Sequence, residues 1–309
     1  MLVYLNYQFL ENFLLLSDDS DEHYILKKFI CDQSSANKLI LDFDPIDLYD
    51  DPEKRVIARQ IAQRLSSFTI DLTFTKSFNN KDFYESAIPK LFFMEEEETN
   101  PSTWGCFTIS SSKYYQASLI LLKDEKRLDT SQRDWSLLSD YQIPLNAMII
   151  SDNYLFSNDV NFENLKSIFK NLMPSKLKTT FDLTFIGFDP KKQFKSINDL
   201  HKKLSSYFAE NFNYKVNLSI IREDNHERAI YTNYYRINSH NGFGLFKNRN
   251  IKSKDELTLQ YTPIGAHSRS SSPYENYKSE LEKIAKKTRV ERMKDRESGT
   301  KKNRLLSQP

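Results

Sequence analysis

A chain of 309 residues, 39% hydrophobic and 28% charged, is long enough for two domains of ordinary size and too apolar to be disordered. No apolar run approaches the roughly 20 residues that a membrane-spanning helix needs. Six glycines are too scattered for a P-loop or dinucleotide loop, and two cysteines without CxxC spacing exclude a disulfide scaffold or a thiolate metal site.

The N-terminal stretch Met1 to Leu16 has no basic n-region, and Asp18, Asp19, Asp21 and Glu22 follow where a small-residue cleavage site would be needed, so a cytoplasmic address is expected. Val3 to Leu5 and Leu39 to Leu41 read as short buried strands. Val56, Ile57, Ile61 and Leu65 recur at helical spacing, and Ile70, Leu72 and Phe74 alternate as a strand. Further strands are expected at Leu91 to Met94, Phe107 to Ile109 and Ala117 to Leu122. Together they make an N-terminal α/β domain over residues 1–130 whose topology the sequence leaves open. Asp42, Asp44 and Asp71 fall at strand ends, but no Glu-x-Lys accompanies them, so solvation is preferred to a nuclease metal centre. Cys31 and Cys106 are expected to be buried free thiols.

The second half is more regular. Ala147 to Ile150 predicts a strand, Phe162, Leu165, Phe169 and Leu172 a helix ending before Pro174, and Phe181 to Phe188 the next strand. Phe194, Ile197, Leu200, Leu204, Tyr207 and Phe208 mark a second helix, and Val216, Leu218 and Ile220 a third strand. This alternation favours a mostly parallel sheet flanked by helices. After it comes Asn225-His226-Glu227-Arg228-Ala229-Ile230-Tyr231-Thr232-Asn233, spaced His-x-Arg-x-x-x-x-Asn. On an extended strand residues two apart share a face, which would aim an imidazole and a guanidinium at one ligand.

These residues resemble the phospholipase D superfamily, whose motif is His-x-Lys-x-x-x-x-Asp on a strand after a strand-helix-strand-helix-strand half-domain. The resemblance implies His226 as the nucleophile on phosphorus, Arg228 as the phosphate-binding base and Asn233 in the place of the supporting acid. Arginine for lysine keeps the charge and adds a bidentate fork. Asparagine for aspartate removes the charge that would support an imidazolium, so binding is expected to survive better than turnover. The family's Gly-Ser pair is replaced by His240, followed by Gly242 and Gly244.

The segment Asn241 to Phe246 is also similar to the phospholipase-D-like C-terminal domain of MIT-domain-containing proteins, which implies phosphoinositide binding without hydrolysis. The resemblance covers about residues 145 to 265. An active centre of this type needs two motifs, supplied by a homodimer or by a degenerate partner half within residues 1–125. Substrate-binding roles are assigned to His240, Tyr231 and Gly242, with no metal and no cofactor. His240 or a histidine of a dimer mate would serve as the acid.

From Ser268 the chain becomes a serine-rich linker and then a basic tail, residues 269–309, expected to be partly disordered or helical. Lys283 to Arg304 carry an excess of seven positive charges that could meet nucleic acid or another acidic partner. Leu281, Ile284, Ala285 and Thr288 give this tail only a short apolar face, so weak docking is expected. Two functions follow: a phosphodiester- or phosphate-recognising protein whose ligand could be nucleic acid, or a non-enzymatic subunit of a larger assembly, for instance in prokaryotic phage defence.

Overall fold

The computed structural model describes residues 2–27, 38–44, 47–56, 59–60, 73–74, 84, 90–94, 101–110, 126–128, 134–156, 159–187, 196–223, 227–247, 250–251, 259–263, 273–294 and 296–307. The expected strand at Ala117 to Leu122, most of the helix from Ile57 to Leu65, Asp71, Cys31 and His226 lie outside them.

In the N-terminal region β1 (Leu2–Leu5), β2 (Lys38–Leu41), β3 (Thr73–Phe74), β4 (Lys90–Phe93) and β5 (Phe107–Ile109) form a five-stranded sheet in the order β3-β2-β1-β4-β5. Every pairing in it is parallel. Helix α1 (Tyr7–Leu15) follows β1; the Asn6 side chain accepts from the Phe9 N–H at its start. The carboxylate of Asp42, at the end of β2, accepts from the Tyr7 N–H at 3.0 Å. Its position at a strand end is thus used to satisfy a helix terminus. Helix α2 (Asp21–Lys27) comes next in the chain. Along β1, Val3 and Leu5 join the main core while Tyr4 stacks on Phe92 in a smaller cluster with Ile40, Tyr84, Met94 and Cys106 on the other face. Cys106 is a buried free thiol, as expected for one of two cysteines without CxxC spacing.

The second sheet has eight strands. Its centre is β7 (Ala147–Ser151), helix α3 (Asp159–Leu172), β8 (Phe181–Ile186), helix α4 (Ile197–Asn211) and β9 (Val216–Ile221), with β7, β8 and β9 parallel. β7 and β8 are buried along their whole length, as strands covered on both faces must be. Phe162, Leu165, Phe169 and Leu172 of α3 are all buried, each such side chain contributing roughly 1.5–3 kcal/mol. Ser196 caps α4 by accepting from the Asp199 N–H, and Leu200, Leu204 and Phe208 form its buried stripe.

The remainder corrects the expectation of a mostly parallel sheet. β10 (Ala229–Thr232) runs antiparallel to β7, and β11 (Tyr235–Ser239), β14 (Leu259–Pro263) and β6 (Lys126–Leu128) continue antiparallel outward. Only two residues, Asn233 and Tyr234, separate β10 from β11, and so short a link can join only antiparallel neighbours. The small hairpin β12 (Phe246–Lys247) and β13 (Asn250–Ile251) stands apart. β6, from the N-terminal region, thereby joins the second sheet.

The C-terminal segment also belongs to this body. Helix α5 (Pro273–Met293) buries Tyr277, Leu281, Ile284 and Thr288, and the Tyr277 hydroxyl donates to the Thr232 carbonyl. Weak docking was expected because Tyr277 was not counted into its apolar face. β15 (Glu297–Gly299) pairs antiparallel with β9 at the sheet edge. Beyond it the Asn303 amide, 1% exposed, donates to the Met148 carbonyl and to Thr184 Oγ1, while Arg304 Nη1 donates to the carbonyls of Asn146 and Thr180. Several of its basic side chains are paired, two of them, Lys287 and Arg304, with acids outside the segment. Arg292 pairs with Glu297, Lys294 and Arg296 with Glu291, Lys287 with Glu223, and Arg304 with Asp182.

Tyr231, Ile149 and Thr184 are register neighbours across three strands and share the face that carries α5. Ile150 and Phe185 share the opposite face, where α3 and α4 pack. Tyr234 ties the two sheets together: its hydroxyl donates to the Lys90 carbonyl at 2.7 Å and accepts from the Phe107 N–H at 2.8 Å. Among the described residues no helix is long and apolar enough to cross a membrane.

Candidate functional site around Arg228

In open α/β sheets ligands bind outside the carboxyl ends of the parallel strands. Here that edge is formed where β7 ends, β10 begins and the turn after β11 returns. The Asp152 N–H still donates to the Ile186 carbonyl, so the parallel ladder extends one residue past β7. Its side chain, 2% exposed, then gathers two segments: Oδ1 accepts from the Tyr154 N–H and Oδ2 from the Phe243 N–H, both at 2.8 Å. Burial pushes the Asp152 carboxyl above the usual range, against the pull of those two N–H groups and of nearby Arg228.

Arg228 is fixed from both neighbouring strands. The Ser151 hydroxyl of β7 donates to the Glu227 carbonyl at 3.0 Å, and the Ser239 N–H of β11 donates to the Arg228 carbonyl at 2.9 Å. The half-buried side chain donates through Nη1 to the His240 carbonyl at 2.5 Å, and its guanidinium carbon lies 5.5 Å from the Tyr154 ring centre. Among the described residues its other N–H groups make no hydrogen bond.

Gly242 closes the turn with φ +79°, a left-handed conformation that side chains disfavour. A Cβ there would also lie 2.7 Å from Asp152 Oδ2 and 3.5 Å from Arg228 Cδ. The Ser239 hydroxyl donates to the Gly242 carbonyl, holding the turn shut.

Of the residues singled out in the sequence, Arg228, His240 and Gly242 therefore meet at one edge. The His240 side chain is exposed and its backbone carbonyl makes the contact. His226 lies outside the described residues. Asn233 sits at the far end of β10: its Oδ1 accepts from the N–H groups of Asn146 and Ala147, both at 3.0 Å, and its Nδ2 donates to Asn146 Oδ1 at 3.1 Å. At about 3.4 Å per strand residue, five residues carry it some 17 Å along the strand from Arg228. Tyr231 is fully buried under α5, with its hydroxyl donating to the Glu227 carboxylate.

Sequence reasoning missed Asp152 and Tyr154. Their signal was present as Ser151-Asp152-Asn153-Tyr154, a polar run directly after an apolar strand. A second ionisable group, at the opposite ends of these strands, is structural. Burial lowers Lys90 to about 8, with Cys106 opposing that shift and Arg304 adding to it, and Arg304 answers the buried Asp182. Among the described residues no cluster of three His, Cys, Asp or Glu side chains is placed to hold a metal ion.

Compared with models of known protein families and with curated proteins, the chain matches none.

Proposed function

We propose that this chain recognises a phosphate or phosphodiester group at the edge formed by Asp152, Arg228 and the 240–243 turn, and that its phosphodiester turnover is weak or absent. The observation that carries this reading is Arg228. Its carbonyl accepts from Ser239, the preceding carbonyl accepts from Ser151, one donor fixes the half-buried side chain on the His240 carbonyl, and its other N–H groups make no hydrogen bond among the described residues. A preorganised guanidinium is the group best suited to a phosphate oxygen pair. The glycine turn beside it lets the Asp152 carboxylate sit close to the turn backbone next to the Arg228 side chain.

The element order supports the phospholipase-D-like resemblance: strand, helix, strand, helix, strand, then an antiparallel strand preceded by the His-x-Arg residues. Weak turnover is inferred because Asn233 is neutral and occupied with the start of β7, so no acid comes from its motif position. His226 would be the nucleophile of any residual reaction. The homodimer that would bring a second histidine to it belongs to the same proposal.

Calorimetric titration with inorganic phosphate, in wild type and in Arg228→Gln, tests binding. Losing charge-assisted hydrogen bonds should weaken it about tenfold or more. Hydrolysis of a nitrophenyl phosphodiester in EDTA tests turnover; a wild-type rate equal to that of His226→Ala is the outcome for a binding protein. Phosphate affinity unchanged in Arg228→Gln would overturn the proposal.

A further inference from the structure

Arg228 shares its edge with a second charge. The Asp152 carboxylate, 2% exposed, lies beside its arm: the point a Gly242 Cβ would occupy is 2.7 Å from Asp152 Oδ2 and 3.5 Å from Arg228 Cδ. Both carboxylate oxygens face N–H groups, Oδ1 that of Tyr154 and Oδ2 that of Phe243. This is the arrangement of an ionised carboxylate, which only accepts. The segment after Phe243 is fixed as well, because Asn164 of α3 accepts from the Phe246 N–H at 2.9 Å and donates to the Phe246 carbonyl at 2.7 Å. Glu227, next to Arg228 in the chain, is turned to the opposite face of the strand, where it accepts from the Tyr231 hydroxyl. A fixed cation is thus accompanied on its own side of the sheet by a fixed, buried anion.

Resting on the phosphate reading of Arg228, we propose that Asp152 sets the charge of the ligand: the seat takes a singly charged phosphate, one flanked by two ester links, and rejects the doubly charged end of a phosphomonoester. An arginine alone would favour the dianion, since each added negative charge adds attraction. Beside a buried carboxylate, where solvent screens little, the ligand's second charge meets a repulsion that opposes this gain. A phosphodiester keeps the pair of oxygens that the guanidinium fork needs and brings no second charge. Discrimination would then come from a repulsive element built next to the attractive one.

The experiment titrates the full chain calorimetrically with dimethyl phosphate, a monoanion, and with methyl phosphate. Both are measured on the alkaline side of neutrality, where methyl phosphate is a dianion and a carboxyl raised by burial is most fully ionised. Wild type should bind dimethyl phosphate at least as tightly as methyl phosphate. Asp152→Asn, which keeps the shape of the side chain, should move the ratio of the two affinities about tenfold toward methyl phosphate. Because both ligands are titrated into each protein, their difference in size cancels from that change. Tighter wild-type binding of methyl phosphate, or the same ratio in wild type and Asp152→Asn, overturns the inference. So does loss of both ligands in Asp152→Asn, which would make Asp152 a structural support alone. If wild type binds neither ligand, or Arg228→Gln leaves both affinities unchanged, it is the phosphate reading that has failed.

Discussion

Replacing Asn233 by aspartate restores the residue that the phospholipase D motif carries, so motif and structure expect opposite results. In the structure the Asn233 amide is 5% exposed, accepts two backbone N–H groups and donates to Asn146 Oδ1. The Asn146 amide is itself oriented by donating to the Trp104 carbonyl at 2.9 Å, so its oxygen stays turned toward position 233. A carboxylate would keep both acceptor roles, lose the donor and set oxygen against oxygen in a buried site. A lost hydrogen bond with an unsatisfied buried group costs about 1–3 kcal/mol, and burying the charge adds to it, so Asn233→Asp should destabilise by about 2–4 kcal/mol at neutral pH. The introduced carboxyl would have its folded pKa raised above its unfolded one. The native state then binds the extra proton, and the penalty shrinks as pH falls through the folded pKa toward the unfolded one. Urea denaturation across pH reads this directly. A variant as stable as wild type at neutral pH that also gained metal-independent phosphodiesterase activity would refute the structural role given to Asn233.

Gly242→Ala places a Cβ against Asp152 Oδ2 at a positive φ; it should cost about 1–3 kcal/mol in urea melts and weaken phosphate binding in calorimetry. Asp152→Asn gives one of two N–H groups no acceptor and should destabilise by about 1–3 kcal/mol. Because the Asp152 carboxyl is raised, its contribution to wild-type stability is full below its unfolded pKa and declines as pH rises through its folded one. The cost of the substitution should therefore be largest in acid and smaller at neutral pH, as denaturation at several pH values would show. Arg304→Ala removes the cation beside buried Asp182 and the Nη1 donor to the carbonyls of Asn146 and Thr180; a loss of about 3 kcal/mol is expected, and an unchanged denaturation midpoint would mean that the C-terminal turn is an appendage.

What the sequence made legible follows the strength of apolar periodicity. β1, β4, β7, β8, β9, α3 and α4 each carry a repeating apolar pattern and were found near their true positions. β15, Glu297-Ser298-Gly299, carries no apolar residue and is held by backbone pairing to β9, so nothing in its side chains marks it as a strand. The α5 face was underestimated because Tyr277 lies one turn before the leucine that was counted. Arg228, His240 and Gly242 were singled out through the resemblance to the phospholipase D motif, and the fold brings them to one edge. Asn233 misled because the same strand that brings the first motif positions to one edge carries the last to the other. Asp152 and Tyr154 needed the knowledge that β10 lies beside β7, a pairing 80 or so residues apart that follows from strand order and not from local pattern.

The central claim, a phosphate seat on Arg228, is tested most directly by locating tungstate, a heavy phosphate analogue, through its anomalous signal in crystals of the full chain. The expected result is density within hydrogen-bonding distance of the Arg228 guanidinium and the 240–243 turn, absent in Arg228→Gln crystals grown alike. Ordered tungstate elsewhere on the molecule, with the Arg228 edge empty, would contradict it.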